Sequence, residues 1–286
     1  MKGVALMAGY LDIDGPTLAE AFAHCSTAIQ HRLADHPLLQ LDEIAKLADR
    51  LPADLVRRER ADLPLDNRGY VDAGVGAPSS TVLGIEQNQY RVSLREIQCD
   101  PIYRELIDAC LDEVATRLGP REGGMRRRSG YIFVSSPAAT TPMHFDPEHS
   151  FLLQVRGSKT VYSVPRRDAG SVQRELDRYY DGAPCAFDAM QDEALRFDLV
   201  PGVGVYFPSF VPHWVEAHDG VSVSFSIPFY TQFSERAEYV NRVNKRLRKL
   251  RMSPRPPGTS PRLDAAKATL LRSWTKVRRP HERASA

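Results

Sequence analysis

Thr141-Pro142-Met143-His144-Phe145-Asp146, followed by Lys159 and later by Pro208-Ser209-Phe210-Val211-Pro212-His213-Trp214, decides how this chain folds. One residue separates His144 from Asp146. In extended backbone both side chains therefore leave one face of the strand, and a single strand supplies two metal ligands. With His213 as a third, two histidines and a carboxylate can hold a ferrous ion on one side and leave the opposite positions open for a cosubstrate and dioxygen. An isolated H-x-D carries little weight, since a solvated surface pair is its ordinary meaning. Its surroundings give it weight.

A dicarboxylic cosubstrate needs a cation and a hydroxyl to hold it, and both stand at short offsets. Thr141 precedes His144 by three residues and Lys159 follows it by fifteen (159 − 144). The Lys159 ammonium can pair with a distal carboxylate while the Thr141 hydroxyl donates to it, contacts about twice as strong as neutral ones. Lys159 lies in Phe151 to Val164, two short strands joined by a turn at Gly157. A Pro201-Gly202 turn then starts a Val/Tyr/Phe strand, and Pro208 and Pro212 restrict the loop that aims His213. A histidine beside a tryptophan on an apolar strand is ordinarily a core residue; the company of Thr141, His144, Asp146 and Lys159 favours a ligand.

These motifs resemble the JmjC and cupin-like family of Fe(II)- and 2-oxoglutarate-dependent oxygenases, and within it the asparaginyl hydroxylase of hypoxia-inducible factor. The shared pattern is T-x-x-H-x-D, then Q-x-x-G-x-K, matched by Gln154, Gly157 and Lys159, then P-x-x-x-x-H, matched by Pro208 and His213; it covers about residues 129 to 230. The resemblance implies a mainly β fold with helical additions around a double-stranded β-helix, the cupin or jelly-roll core. It implies His144, Asp146 and His213 as iron ligands, Thr141 and Lys159 as cosubstrate anchors, and Fe(II), 2-oxoglutarate and O2 as the reacting set. It further implies a peptide or protein substrate, hydroxylated with release of succinate and carbon dioxide, and a tyrosine such as Tyr131 reaching the cosubstrate. Two positions depart from the pattern. Val203 stands where an Asp commonly follows the Pro-Gly turn, and Ser150 replaces an amide side chain near the iron.

In Val221 to Pro228 three serines, Ser222, Ser224 and Ser226, alternate with Val221, Val223, Phe225 and Ile227. One face of this strand should line a wet barrel interior, with Ser226 as a further cosubstrate contact; an edge strand with its serines in solvent is the alternative. The expected organisation is an N-terminal helical and mixed region over 1–120, the catalytic core over 121–232 and a helical region over 233–286. Helices are expected over Leu18 to Leu33, Leu41 to Leu51, Pro101 to Leu118, Ser234 to Arg251 and Leu263 to Val277. Residues 62–98 read as loops, with room among them for the first barrel strands, a substrate-facing wall. His24 and His31 lack carboxylate partners at matching positions and read as structural or exposed. Arg126, Arg127 and Arg128 read as a solvated charge run in preference to a dock for an acidic substrate.

The 286 residues suffice for a substantial core, and a net charge of +2 makes no case for nucleic acid. Cys25, Cys99, Cys110 and Cys185 have no paired or metal-type spacing, which suggests free thiols in a reducing compartment. The opening residues Met1 to Leu11 read as a strand or buried segment, not a signal peptide, and no run approaches a membrane span; the expected location is the cytoplasm. The C-terminal stripes Val240, Val243, Leu247 and Leu250, and Leu263, Leu270, Leu271, Trp274 and Val277, can pack on the barrel or on a second copy. Related cupin-like hydroxylases dimerise through such helices, so a homodimer is expected. The basic faces around Lys245, Arg246, Arg248, Lys249, Arg251, Arg278 and Arg279 read as solvated in preference to contacting RNA. Two other functions fit the residues: a small-molecule oxygenase, and a non-catalytic metal-binding cupin scaffold acting as a binding or regulatory protein.

Overall fold

The computed structural model describes residues 9–22, 24–61, 76–165, 169–183 and 191–282, without the side chains of 169, 171 and 274–282. The expectations for residues 1–8 and 62–75, for Cys185, and for the side chains of Trp274, Val277, Arg278 and Arg279 lie outside the described residues.

Two antiparallel sheets face each other. From Tyr131 onward the strands divide between them: β5 (Tyr131–Ser135), β7 (His149–Arg156), β10 (Val203–Phe207) and β12 (Ser222–Phe229) in the major sheet, β6 (Thr140–Phe145), β8 (Lys159–Ser163), β9 (Leu195–Leu199) and β11 (Pro212–Ala217) in the minor. Four strands against four, with the chain passing repeatedly between the sheets, is the double-stranded β-helix that the motifs implied. The N-terminal strands β1 (Leu11–Asp12) and β2 (Thr27–His31) extend the major sheet beside β10, and β3 (Val56–Arg60) and β4 (Tyr90–Leu94) extend it beside β5, giving the order β1-β2-β10-β7-β12-β5-β4-β3.

The helices are α1 (Gly15–Ala21), α2 (Leu41–Arg50), α3 (Pro78–Leu83), α4 (Ile85–Asn88), α5 (Pro101–Leu118), α6 (Ala169–Asp181), α7 (Gln232–Lys249) and α8 (Pro261–Glu282). Helix α5 begins at Asp100, whose carboxylate accepts from Ile102 N, and buries Leu106, Ile107, Cys110, Leu111 and Val114 in the main core. Its span is the one its periodicity predicts. The helix expected over Leu18 to Leu33 is a correction: it stops at Ala21, and Thr27–His31 is strand β2. Apolar residues recur there at helical spacing, but β10 offers an open edge. Gly204 on β10, where a Cβ would stand 2.7 Å from Leu152 O, lets β7 and β2 close on it, with Ile29 against its bare Cα. Sheet closure overrides local propensity.

Strand β12 is central, not an edge. It pairs with both β5 and β7, and every one of its residues is buried. Ser222 accepts from Gln154 Nε2 at 3.0 Å and Ser224 donates to Gln154 Oε1 at 2.6 Å, so two of the three serines are sealed by one glutamine. Only Ser226 reaches the cavity described below.

Candidate metal and cosubstrate site

Strands β6 and β11 are neighbours in the minor sheet, and their register sets His213 directly opposite His144. Two residues on, Val215 lies opposite Thr141, so β6 carries one residue more than β11 across this interval. The extra residue is a β-bulge at Pro142-Met143. It matters for the site, because Thr141 and His144 are an odd number apart and would face opposite sides of a regular strand. The bulge turns both toward one cavity, and Pro142, without an N–H to leave unpaired, suits it.

The imidazoles are aimed by their own backbone. His144 Nδ1 meets Pro142 O at 2.8 Å and His213 Nδ1 meets Val211 O at 2.9 Å. Each therefore carries its proton on Nδ1 and presents the Nε2 lone pair inward. Those Nε2 atoms lie 3.8 Å and 3.7 Å from Asp146 Oδ2, and one ligand atom from each of the three residues falls within 4.8 Å of the others. Asp146 follows the end of β6, where its carbonyl accepts from Phe210 N at 2.6 Å. His213 is buried, and burial, reinforced by His144, lowers its imidazole to about 4 against the pull of Asp146. It is neutral at ordinary pH, the state a metal requires. Two pre-aimed imidazoles and one carboxylate, converging from one side, are a donor set that fits a ferrous ion.

Lys159 opens β8, on the other flank of β11, paired with Ala217. The turn that delivers it needs glycine: Gly157 has φ +66° and a Cβ there would stand 2.3 Å from Val221 O. Lys159 is 4% exposed, and burial, helped by Arg91, lowers its amine to about 7. Thr141, Lys159, His144, Asp146, His213 and Ser226 all line one cavity of about 580 Å³. A buried amine in the same cavity as a converging ligand set fits a cosubstrate that brings its own carboxylate. Ser226 hydrogen-bonds Ser150 across the β7–β12 pair at 2.9 Å, so the position that departs from the family's amide is filled by a serine pair.

The sequence did not disclose Glu148, the α6 wall or the β3–β4 wall. Glu148 lines the cavity, hydrogen-bonded by Tyr230; burial and then Asp146 raise its carboxyl to about 7. Helix α6 contributes Leu176, Tyr179 and Tyr180, and Tyr180 Oη donates to Glu238 of α7, which also accepts from Arg242. Val172, Leu176, Tyr179 and Tyr180 recur at helical spacing, a signal that was present. Tyr131 lines the cavity with its hydroxyl 3.3 Å from Glu96 Oε1. Of the arginine run, Arg128 pairs with Asp108 and Asp112, Arg126 lies 3.9 Å from Glu235, and Arg127 lies over the Tyr230 ring. His31 is buried in β2 and accepts from Leu33 N.

A family profile described as JmjC domain matches residues 123–236. No curated protein matches the chain in sequence. Among solved structures, that of E. coli ycfD is similar over 89% of this chain and 63% of its own, with 15% identity and a TM-score of 0.50. A structure of YcfD, described as a ribosomal oxygenase from Escherichia coli in complex with cobalt and 2-oxoglutarate, covers 89% of this chain and 62% of its own at 14% identity and TM-score 0.48. The chain thus spans less than two thirds of the length of either. At this identity the likeness bears on the fold.

Proposed function

We propose that this chain, whose residues 123–236 match the JmjC domain profile, is an Fe(II)- and 2-oxoglutarate-dependent oxygenase that hydroxylates a side chain of a peptide or protein. The observation that carries the proposal is the convergence of His144, Asp146 and His213 on one point of a cavity that also holds the buried amine of Lys159. Iron bound by these three residues supplies the oxidising chemistry, in which 2-oxoglutarate, dioxygen and a C–H bond become succinate, carbon dioxide and a C–OH bond.

The chain's own part is orientation. Pro142 O and Val211 O hold the imidazoles in the ligating tautomer. The Lys159 ammonium and the Thr141 hydroxyl take the far carboxylate of 2-oxoglutarate, with Ser226 at the cavity wall, so that its other end faces the metal ligands. Met143, Phe145, Phe207 and Phe210 bury the floor and exclude water. The Asp146 side chain is 48% exposed, so this end of the cavity is open to solvent. That opening suits a side chain presented by a larger molecule.

Anaerobic titration of the Fe(II)-loaded protein with 2-oxoglutarate tests the proposal. A visible metal-to-ligand charge-transfer band is expected; metal binding with no band would leave a metal-holding scaffold without oxygenase chemistry.

Two further parts of the proposal concern setting. Cys25, Cys99 and Cys110 are free, in keeping with a reducing compartment, and we place the enzyme in the cytoplasm. No helix among the described residues is long and apolar enough to cross a membrane. The C-terminal helices bury Val240, Val243 and Leu271 but leave Leu250, Leu263 and Leu270 exposed at 72%, 47% and 66%. We assign the face of α8 that carries Leu263 and Leu270 to a homodimer contact. Sedimentation velocity at micromolar concentration is expected to show a dimer that Leu263→Glu/Leu270→Glu converts to monomer; a monomeric parent rejects the assignment.

A further inference from the structure

Lys159 opens β8, and the residues on either side of it are tied to one imidazole on the face of the minor sheet that looks away from the cavity. Side chains alternate along extended backbone, so with Lys159 lining the cavity the flanking Ser158 and Thr160 leave the opposite face. His218, one residue past the end of β11, meets both: its Nδ1 lies 3.0 Å from Ser158 Oγ and its Nε2 2.8 Å from Thr160 Oγ1. Its backbone joins the same turn, His218 N donating to Ser158 O at 3.1 Å, while His218 O accepts from Ala138 N at 3.1 Å. The proton of each bond is fixed by the next. Thr160 Oγ1 gives its one hydrogen to Asp198 Oδ1 on β9 at 2.7 Å and so accepts from His218 Nε2, which leaves Nδ1 of the neutral ring to accept from Ser158. The Thr160 hydroxyl, and then the Arg196 guanidinium, hold the Asp198 carboxyl below its ordinary range, so the last acceptor of the line stays ionised.

Lys159 pairs with Ala217 on one side and Leu199 on the other, the last residues of β11 and β9, so it stands in the end row of these three strands. Ends of elements are where a structure opens most readily, and a lysine head rides on a flexible four-carbon stem. Fixing the backbone on both sides of Lys159 leaves less freedom to be lost when its ammonium grips a carboxylate. We propose that His218 is a positioning residue for 2-oxoglutarate: touching neither cosubstrate nor metal, it holds Ser158 and Thr160 from behind and so sets the Lys159 ammonium for the far carboxylate. This rests on the oxygenase function proposed above, with Lys159 as its anchor. The role requires one donor and one acceptor side by side, which a glutamine amide also offers and an alanine does not.

The test compares two 2-oxo acids on the Fe(II)-loaded full chain without oxygen, each titrated by its charge-transfer band: 2-oxoglutarate, and 2-oxobutyrate, which chelates a metal in the same way but has no far carboxylate. The parent is expected to hold 2-oxoglutarate the more tightly. The His218 ring is exposed, so its removal opens no cavity in the core. His218→Ala should weaken 2-oxoglutarate about tenfold, the lower end of what outer hydrogen bonds contribute at such sites, and leave 2-oxobutyrate and iron within about twofold of the parent. His218→Gln should restore most of the loss. A residue serving only the fold would weaken both acids alike. Equal losses for the two acids, no loss for either, or a glutamine variant no better than alanine overturns the positioning role. A parent that forms no band overturns the oxygenase proposal, one that holds the two acids equally overturns its Lys159 anchor, and this inference falls with either.

Discussion

Asp146→Ala is expected to abolish the 2-oxoglutarate charge-transfer band and succinate release while leaving the melting temperature within a few degrees of the parent. The Asp146 carboxylate is half-exposed and faces two imidazole nitrogens at 3.8 Å and 3.7 Å, so it packs against little that needs it for folding. Its backbone carbonyl keeps the bond from Phe210 N whatever the side chain. Substitution leaves no buried group unpaired, and such positions change stability by roughly 0.5 kcal/mol. Loss of iron affinity should exceed about a hundredfold, since changes among residues that merely support ligands already cost about 10–100-fold. His213→Ala must behave differently. That ring is buried and stacked on Phe207, centroids 4.4 Å apart, so its removal opens a cavity as well as a coordination position. It should lose the metal and in addition about 2 kcal/mol of stability. Calorimetric iron titration and thermal melting of both variants separate the effects; either variant binding iron within tenfold of the parent removes that residue from the ligand set.

How much of this was legible beforehand varies with what each residue faces. Helix α5 buries its whole apolar stripe, so its periodicity was visible, whereas of the stripes read on α7 and α8 Val240, Val243 and Leu271 are buried and Leu250, Leu263 and Leu270 are exposed; His144, Asp146, Lys159 and His213 stood out because metal and dicarboxylate chemistry limits the residue types that serve. The meeting of Thr141 with His144 on one cavity was not derivable from spacing. It depends on a bulge whose register is fixed by β11, some seventy residues later. Strand β3, Val56-Arg57-Arg58-Glu59-Arg60, gives almost no apolar alternation because its inward face looks into the cavity and not a core. Strand β2 was mistaken for helix because only the edge of β10 decides it. Glu148 sat two residues from Asp146 in plain view, but nothing in sequence says that burial will bring its carboxyl to about 7.

Lys159→Met is expected to stabilise the ligand-free protein at pH 6 and to destroy its affinity for 2-oxoglutarate. Burial and Arg91 both oppose the ammonium and bring the amine to about 7, far below the 10.5 of a free lysine. Between about pH 7 and 10.5 the unfolded chain therefore binds the extra proton and the folded chain does not, so stability rises with pH through this window and is lost as pH falls through about 7. The parent's melting temperature should climb from pH 6 to pH 9 relative to Lys159→Met, whose apolar chain fills similar volume. At pH 6 the variant should be the more stable by on the order of a few kcal/mol. A dicarboxylate reverses the balance, because its far carboxylate pairs with the ammonium and raises the amine again. Binding above pH 7 must then draw in a proton, and affinity should fall by up to about tenfold per pH unit between 7 and 9. Calorimetry in two buffers of different ionisation enthalpy reads the uptake directly. A lysine kept for the fold would show neither the proton uptake nor the affinity slope, and Lys159→Met would bind 2-oxoglutarate as the parent does. The cost carried at pH 6 and the affinity lost at pH 9 are two consequences of one buried amine, so they must disappear together in the variant.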